Sequence, residues 1–504
     1  MLPEPDPILC RALADDLRSA GFSGAALRDA WGEQADDAVP RGLRQPALRA
    51  LGDRRDALAT LGRLWCLGFA VDVEAAAAAL PNLGVAGAVT LGLVGIDGDR
   101  VVPAVLVRPQ PYGDADGSVE WWIASDLDEA ALGGPLPEDH VLGVGGASQT
   151  LARLQLTWRG GTALDLGTGC GIQALRLRRL VPHVVATDIS ERALRFTRLN
   201  ALLNDVDGIE TRLGSLFDPV AGETFDRVAS NPPFVITPRV AGVPAYEYRD
   251  GGLEGDALVA SVVAGVAAHL SPGGVAQSLG NWEYRDGHSG LDRIREWVDP
   301  SLDAWVIERE VLDPLAYAEL WVRDGGTVPG TPAYARLIDA WLDDFAERGV
   351  TGIGFGYVLL RRPLAGAPTL ARYERVAGGG ESAFGPHLAA CLENQDRAGL
   401  LDDEGLASAI LRVAPDVTEA RHHRPGEESP SVIELRQGGG FGRTLEVDSA
   451  LAALVGACDG DLAVGPLVDA IAQLLEVDAD ELRADILPRV RELIVTGFLT
   501  FTDA

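Results

Sequence analysis

A strand that must stop, turn over alternating glycines and restart as a helix leaves a chain few choices of fold. Residues 162–175, TALDLGTGCGIQAL, have this form, with Gly167, Gly169 and Gly171 between an apolar strand and an apolar helix. Glycine lets the backbone turn sharply and come close to a ligand, and the following helix start offers free N–H groups. The pattern around this segment repeats it. Strand HVVATDI and helix ERALRFTRLNALLN come next, followed by strands IETRLGS and FDRVASN, helix DALVASVVAGVAAHL and strand GVAQSLGNW. AWVIEREVL, a helical stretch and GIGFGYVLLRR close the series. Repeated strand–helix units predict an α/β domain, a doubly wound and mostly parallel sheet, over residues 137–365.

The flanks read differently. Residues 1–136 open with helical spacing, in PILCRALADDLRSAG and PALRALGDRRDALATLGRLWCLG. They end in two strand-like runs, RVVPAVLVRP and VEWWIASD, set to pair as a hairpin. We expect a mainly helical α+β domain there, with a substrate-recognition role. A Gly- and Pro-bearing stretch near 364–386 marks a boundary. Residues 366–504 then form a C-terminal domain whose part from 444 to 502 predicts three helices and a terminal apolar strand. That spacing resembles the small peptide-recognising winged helices of ribosomal-peptide-modifying systems. With 504 residues, several cores are expected.

Spacing narrows the glycine loop. A dinucleotide fingerprint begun at Gly167 would need Gly or Ala at 172, where the chain has Ile172, and no GK[ST] comes after it for a P-loop. What remains, D-x-G-x-G-x-G from Asp165, resembles motif I of class I S-adenosylmethionine (SAM)-dependent methyltransferases. The resemblance implies a Rossmann-like, seven-stranded methyltransferase sheet and SAM as cofactor. It implies that Asp165 meets the ammonium end of the cofactor and that Gly167, Gly169 and Gly171 line its path. Asp188, one strand later in VVATDIS, would accept from the ribose hydroxyls; a helix N-cap is its plainer role. The third strand ends in LGSLFDPV, where Ser215 would contact the adenine amino group and Leu216 would pack on the ring.

The fourth strand runs into Asn231-Pro232-Pro233-Phe234. Prolines fix φ and carry no N–H, so the stop is rigid. The Asn231 side-chain oxygen and the Pro232 carbonyl can accept both hydrogens of a planar NH₂ group, while Phe234 stacks on its flat face. Two fixed acceptors aim a delocalised lone pair at a methyl carbon without any charged base. In isolation Asn-Pro is an ordinary turn starter; here it comes after the glycine loop and Asp188 on successive strands. The tetrapeptide resembles the [NDS]-P-P-[FYW] loop of methyltransferases acting on planar nitrogens, the "methyltransferase small" and glutamine-N5 group. DHVLGVGGASQTLARL is similar to that group's pre-motif segment, which implies that Thr150 lies near the cofactor. YEYRDGGLEGDALV is similar to the stretch after the loop in that group.

These resemblances imply an N-methyltransferase, favouring a glutamine or asparagine side-chain amide of a protein or peptide. The alternatives are an exocyclic amine of a nucleic-acid base, guanine-N2 or adenine-N6, then a small-molecule amine, and a non-catalytic SAM-binding scaffold. Charge bears on the choice: 43 basic residues, all arginine, against 74 acidic ones give a net charge of −31. Phosphate-binding proteins present a basic face, so nucleic acid is disfavoured as a partner. The five cysteines form no CxxC pair and the seven histidines show no metal-ligand spacing, so no metal and a reducing, cytoplasmic setting are expected. No eighteen-residue apolar window occurs and the first residues lack a secretory pattern, so no membrane partner is expected.

Overall fold

The strand Thr162–Leu166 is buried at four of its five residues, Ala163 to Leu166. Continuous burial is what a central parallel strand shows, since both faces are covered. The computed structural model describes residues 2–114, 117–134, 136–240, 242–243, 247–376 and 384–502. They group into two compact units. The first holds residues up to 152, 159–302 and 310–366; the second holds 153–158, 303–309 and the chain from 367 onward. Both of the first two expected domains thus fall largely within the first unit.

In the first unit, helices including Pro7–Ser19, Gly24–Trp31 and Gly84–Thr90 precede a hairpin of β1 (Val105–Asp114) and β2 (Gly117–Asp126). The hairpin starts later than its sequence suggests. Arg100–Pro103 is a separate strand, paired with Val94–Asp97 and Val71–Asp72 in a small sheet. Pro103 has no N–H for a ladder and ends that strand. The residues at the hairpin tip lie outside the described residues. Next come helix α1 (Gly146–Leu154), strand β3 (Thr162–Leu166), α2 (Ile172–Arg178), β4 (His183–Asp188) and α3 (Glu191–Leu203). They are followed by β5 (Ile209–Leu213), β6 (Phe225–Ser230), α4 (Ala257–Gly265) and the long β7 (Leu270–Arg285). Then come β8 (Asp303–Leu312), α5 (Pro314–Asp324), α6 (Pro332–Glu347), β9 (Val350–Arg361) and β10 (Ala371–Arg375), of which residues 303–309 of β8 and all of β10 are counted in the second unit.

The sheet has eight strands in the order β10-β8-β9-β7-β6-β3-β4-β5, one more than the seven expected. The additional strand, β10, comes from the stretch near 364–386, where ARYER follows the apolar Leu370. Strands β3, β4, β5 and β6 are parallel to their neighbours, and β7 is parallel to β6 but antiparallel to β9. The fold is α/β, mostly parallel and doubly wound. Strand β3 lies between β4 and β6, so the connections leave it in opposite directions. Crevices at such reversal points, outside the carboxyl ends of the strands, are where open sheets of this kind bind ligands.

In the second unit, helices Ser449–Ala457, Val464–Leu475 and Ala479–Val495 are followed by strand Leu499–Phe501. Strand Asp459–Ala463 pairs with Ile410–Val413, which pairs with Leu499–Phe501. All five cysteines are free and buried. No single helix among the described residues is long and apolar enough to cross a membrane.

Candidate active site

Four consecutive loops leave the carboxyl ends of β3, β4, β5 and β6, and the sheet order sets them along one edge. They wall a cavity of about 470 Å³, within the roughly 300–1,000 Å³ usual for a small-ligand site. Its lining includes Gly167, Gly169, Asp188, Ser215, Leu216 and the whole of Asn231-Pro232-Pro233-Phe234.

The glycine loop turns as its composition dictates. Gly167, Gly169 and Gly171 have φ of 76°, 55° and 85°, a region that L side chains rarely adopt. A Cβ on Gly167 or Gly169 would meet nothing within 4 Å, so both backbone atoms face open space. Gly171 serves packing instead: a Cβ there would stand 3.0 Å from Thr197. The loop is tied down by two N–H groups, Gly167 and Thr168, that donate to the Thr187 carbonyl at 2.9 Å.

Asp188 ends β4 on the cavity wall. Its Oδ2 accepts the Gly169 N–H and its Oδ1 the Ser190 N–H, both at 2.9 Å. It is not the helix cap; Ser190 caps α3 and accepts from the Ala193 N–H. A carboxylate has about four acceptor positions, so Asp188, oriented by two fixed N–H groups, can also receive hydroxyls.

Asp165 is placed differently from its glycine neighbours. It is fully buried and is not part of the cavity lining, while Leu166 and Gly167 are. The Thr168 hydroxyl donates to its Oδ2 at 2.6 Å. Burial pushes its carboxyl up to about 7, the Thr168 bond working against this and Asp188 adding to it. Side chains alternate along a strand, and Asp165 points into the protein beneath the loop.

Leu216 lines the cavity with φ of 45°, a left-handed conformation costly for a leucine. Ser215 beside it is exposed on the same wall. Thr150 does not line the cavity, whereas Ser148 does. Two residues apart on a helix lie on nearly opposite faces, so only one of the pair can look inward.

At the end of β6 the Ser230 hydroxyl donates to the Leu166 carbonyl at 2.9 Å, joining the glycine loop to the proline loop. The Asn231 Nδ2 stands 3.4 Å from Ser148 Oγ, and Gln173 Nε2 donates to the Ser148 carbonyl at 2.7 Å. The Asn231 Oδ1 is buried and has no hydrogen-bond partner among the described residues. A buried acceptor left unpaired costs about 1–3 kcal/mol, so this oxygen favours an incoming N–H donor. Phe234 stands edge-on to Trp321, centroids 6.5 Å apart at 71°. Arg249, buried on the same wall, donates to the Trp321 carbonyl at 3.2 Å. His140, also on the wall, is held below the usual histidine range by burial, against the opposing pull of Asp126.

Glycines that open onto the cavity, an oriented carboxylate one strand away and apolar Leu216 and Ile189 fit a nucleoside carrying an amino acid. Among the described residues no group of three or more His, Cys, Asp or Glu could hold a metal ion. The fold and this loop order define a class I, SAM-dependent methyltransferase domain. More narrowly, residues 144–242 match the family model described as "Methyltransferase small domain". Residues 19–104 and 393–501 match two domains of unknown function, DUF7059 and DUF7782. The chain is 33% identical over 172 residues to a release factor glutamine methyltransferase of Deinococcus radiodurans, covering 32% of this chain and 59% of that one. It is 33% identical over 126 residues to the enzyme of the same name from Gloeobacter violaceus, covering 23% and 44%. The chain thus spans about half the length of these relatives. A methyltransferase structure from Pyrococcus furiosus aligns over 43% of this chain and 82% of its own, at 18% identity and TM-score 0.26.

Sequence reasoning did not single out Ser148, Gln173, Arg249 or Trp321. Ser148 was within reach, two residues from Thr150 in a segment already read as flanking the site. Gln173 and Arg249 lie within TALDLGTGCGIQAL and YEYRDGGLEGDALV but carry no signal of their own there, and Trp321 lies on α5, where nothing local marks it.

Proposed function

We propose that this chain is a SAM-dependent N-methyltransferase acting on a side-chain amide, glutamine or asparagine, of a protein or peptide. The observation that carries the reading is the Asn231 Oδ1, an unpartnered acceptor on the wall shared by the glycine loop and Asp188. The names of the relatives from Deinococcus radiodurans and Gloeobacter violaceus support a glutamine substrate. The acidic balance of the chain supports protein over nucleic acid, and we place the reaction in the cytoplasm.

SAM, when bound, supplies a methyl group on a positively charged sulfur. Gly167 and Gly169 would give its amino-acid end close backbone approach, Asp188 would receive the ribose hydroxyls, and Ser215 and Leu216 would border the base. Asp165 acts from beneath, supporting the loop through Thr168. Asn231 and the Pro232 carbonyl accept the two amide hydrogens, which sets the nitrogen lone pair toward the methyl carbon. Phe234 holds the amide plane. No general base is needed before transfer: as the N–C bond forms the methyl–sulfur bond would break with its electron pair left on sulfur, and the nitrogen, now strongly acidic, would give its surplus proton to water. We assign residues 1–136 to substrate recognition, 137–365 to catalysis and the winged-helix-like part near 444–502 to peptide recognition.

Labelled SAM added with the purified protein to an extract of cells lacking it tests this. Label in a protein fraction, on glutamine or asparagine after hydrolysis, is the expected result. Label confined to RNA or DNA would establish an exocyclic amine as acceptor, and no label anywhere would leave a SAM-binding scaffold.

A further inference from the structure

The proline loop has an unusual problem of support. Pro232 and Pro233 donate no backbone hydrogen bonds, so the first N–H groups able to fix the far side of the loop come after them. Two are used in succession. The Val235 N–H donates to the Arg249 carbonyl at 2.8 Å, and the Ile236 N–H donates to the Tyr317 hydroxyl at 3.0 Å. The first partner is backbone; the second is a side chain on α5. Tyr317 is fully buried, and the Asn281 Nδ2 on β7 donates to the same oxygen at 2.8 Å. Its ring is packed by Trp341, Phe345 and Phe355, centroids 5.5–5.9 Å away. Burial pushes the phenol well above its ordinary range, so the group stays protonated at all working pH values. Tyr317 and Trp321 are four residues apart on one face of α5. A single helix face therefore carries both the hydroxyl under Ile236 and the indole beside Phe234.

We propose that Tyr317 is a positioning residue for methyl transfer: braced by Asn281, its hydroxyl pins the Ile236 N–H and so sets where Asn231 and Phe234 stand. The inference rests on the reading of Asn231–Phe234 as the acceptor site. Tyr317 touches neither substrate nor cofactor and acts through the loop alone. A reacting geometry that slips by a fraction of an ångström loses rate without losing binding.

Tyr317→Phe removes one oxygen and keeps the ring packing. With labelled SAM and the labelled protein fraction as acceptor, kcat should fall about tenfold while KM for the acceptor and Kd for SAM stay within about twofold. Hydrogen exchange at 234–237 should rise in the variant while 162–189 keeps its protection. Asn281→Ala, which leaves the tyrosine but not its brace, should show the same split more mildly. Unchanged exchange at 234–237 would overturn the tether. Looser exchange with full kcat, or loss of SAM binding along with kcat, would overturn the positioning role in favour of a structural one. If the wild-type protein transfers no methyl group, the proposed function fails, and the exchange result still judges the tether separately.

Discussion

The Gly169 N–H donates to the Asp188 carboxylate at 2.9 Å, tying the turn after β3 to the end of β4. A residue that would meet the ribose thus also shapes the glycine loop. Asp188→Ala should therefore weaken SAM more than the loss of two hydroxyl contacts alone. Isothermal titration should show Kd rising about 100-fold or more, since hydrogen bonds to a charged group contribute about 1.5–3 kcal/mol each. Asp188→Asn, able to accept one N–H, should lie between.

Gly169→Ala probes the open side of the same turn. A left-handed alanine costs about 1–2 kcal/mol, and the new methyl group would project where nothing now lies within 4 Å. We expect a small drop in thermal stability together with a loss of SAM affinity larger than that drop. Gly171→Ala should reverse the balance, because its Cβ would press on Thr197 rather than enter the cavity.

Asn231→Ala should abolish transfer in the labelled-SAM assay while SAM affinity stays within a few-fold, since most of the residues proposed to hold the cofactor lie on the other loops. It should also raise thermal stability slightly in the absence of ligand, because a buried acceptor without a partner is removed. Loss of SAM binding in this variant would mean that the loop has been misassigned. Ser148→Ala should lower kcat by a smaller factor, through a less fixed Asn231 amide.

Asp165 gives a pH signature. Its folded-state value is raised to about 7 by burial, from an ordinary value near 4. Below that ordinary value both folded and unfolded states hold the proton and the group costs nothing. As pH rises from about 4 to 7 the unfolded chain gives up the proton first, and stability falls through this window. Above about 7 the loss is complete. Asp165→Asn should flatten the fall between about pH 4 and 7, as read by thermal unfolding of the ligand-free protein.

Much of the site was legible because a parallel sheet converts sequence order into spatial order. Once TALDLG, HVVATD and FDRVAS are successive parallel strands, the loops at their carboxyl ends must meet at one edge, and Gly167, Asp188 and Asn231 do. Direction within a turn was less legible. Asp165 sits two residues before Gly167, yet strand alternation turns it inward and the Thr168 hydroxyl keeps it there. Whether Asp188 or Ser190 caps α3 depended on a ψ angle that no pattern of residue types fixes. Tyr317 lies over eighty residues beyond the loop it holds, and its neighbours Leu315, Ala316 and Ala318 look like any amphipathic helix. Strand β10 was hidden in a stretch whose glycines and prolines read as linker.

Helix α3 and its C-terminal cap residue set two side-chain amides on the edge of β2. The Asn200 Oδ1 accepts the Ala124 N–H at 2.7 Å and its Nδ2 donates to the Ala124 carbonyl at 2.9 Å. One turn on, Asn204 repeats both contacts with Trp122 at 2.9 Å. The same Asn200 Nδ2 reaches the Cys170 carbonyl in the glycine loop at 2.8 Å. The two asparagines imitate a neighbouring strand, so cutting the chain ahead of residue 137 would take away the strand edge they grip and leave them only their contacts to the Cys170 and Asn200 carbonyls. The leading part of this protein is for that reason a poor candidate for swapping with another specificity module: whoever exchanges it must also supply a strand edge that Asn200 and Asn204 can grip.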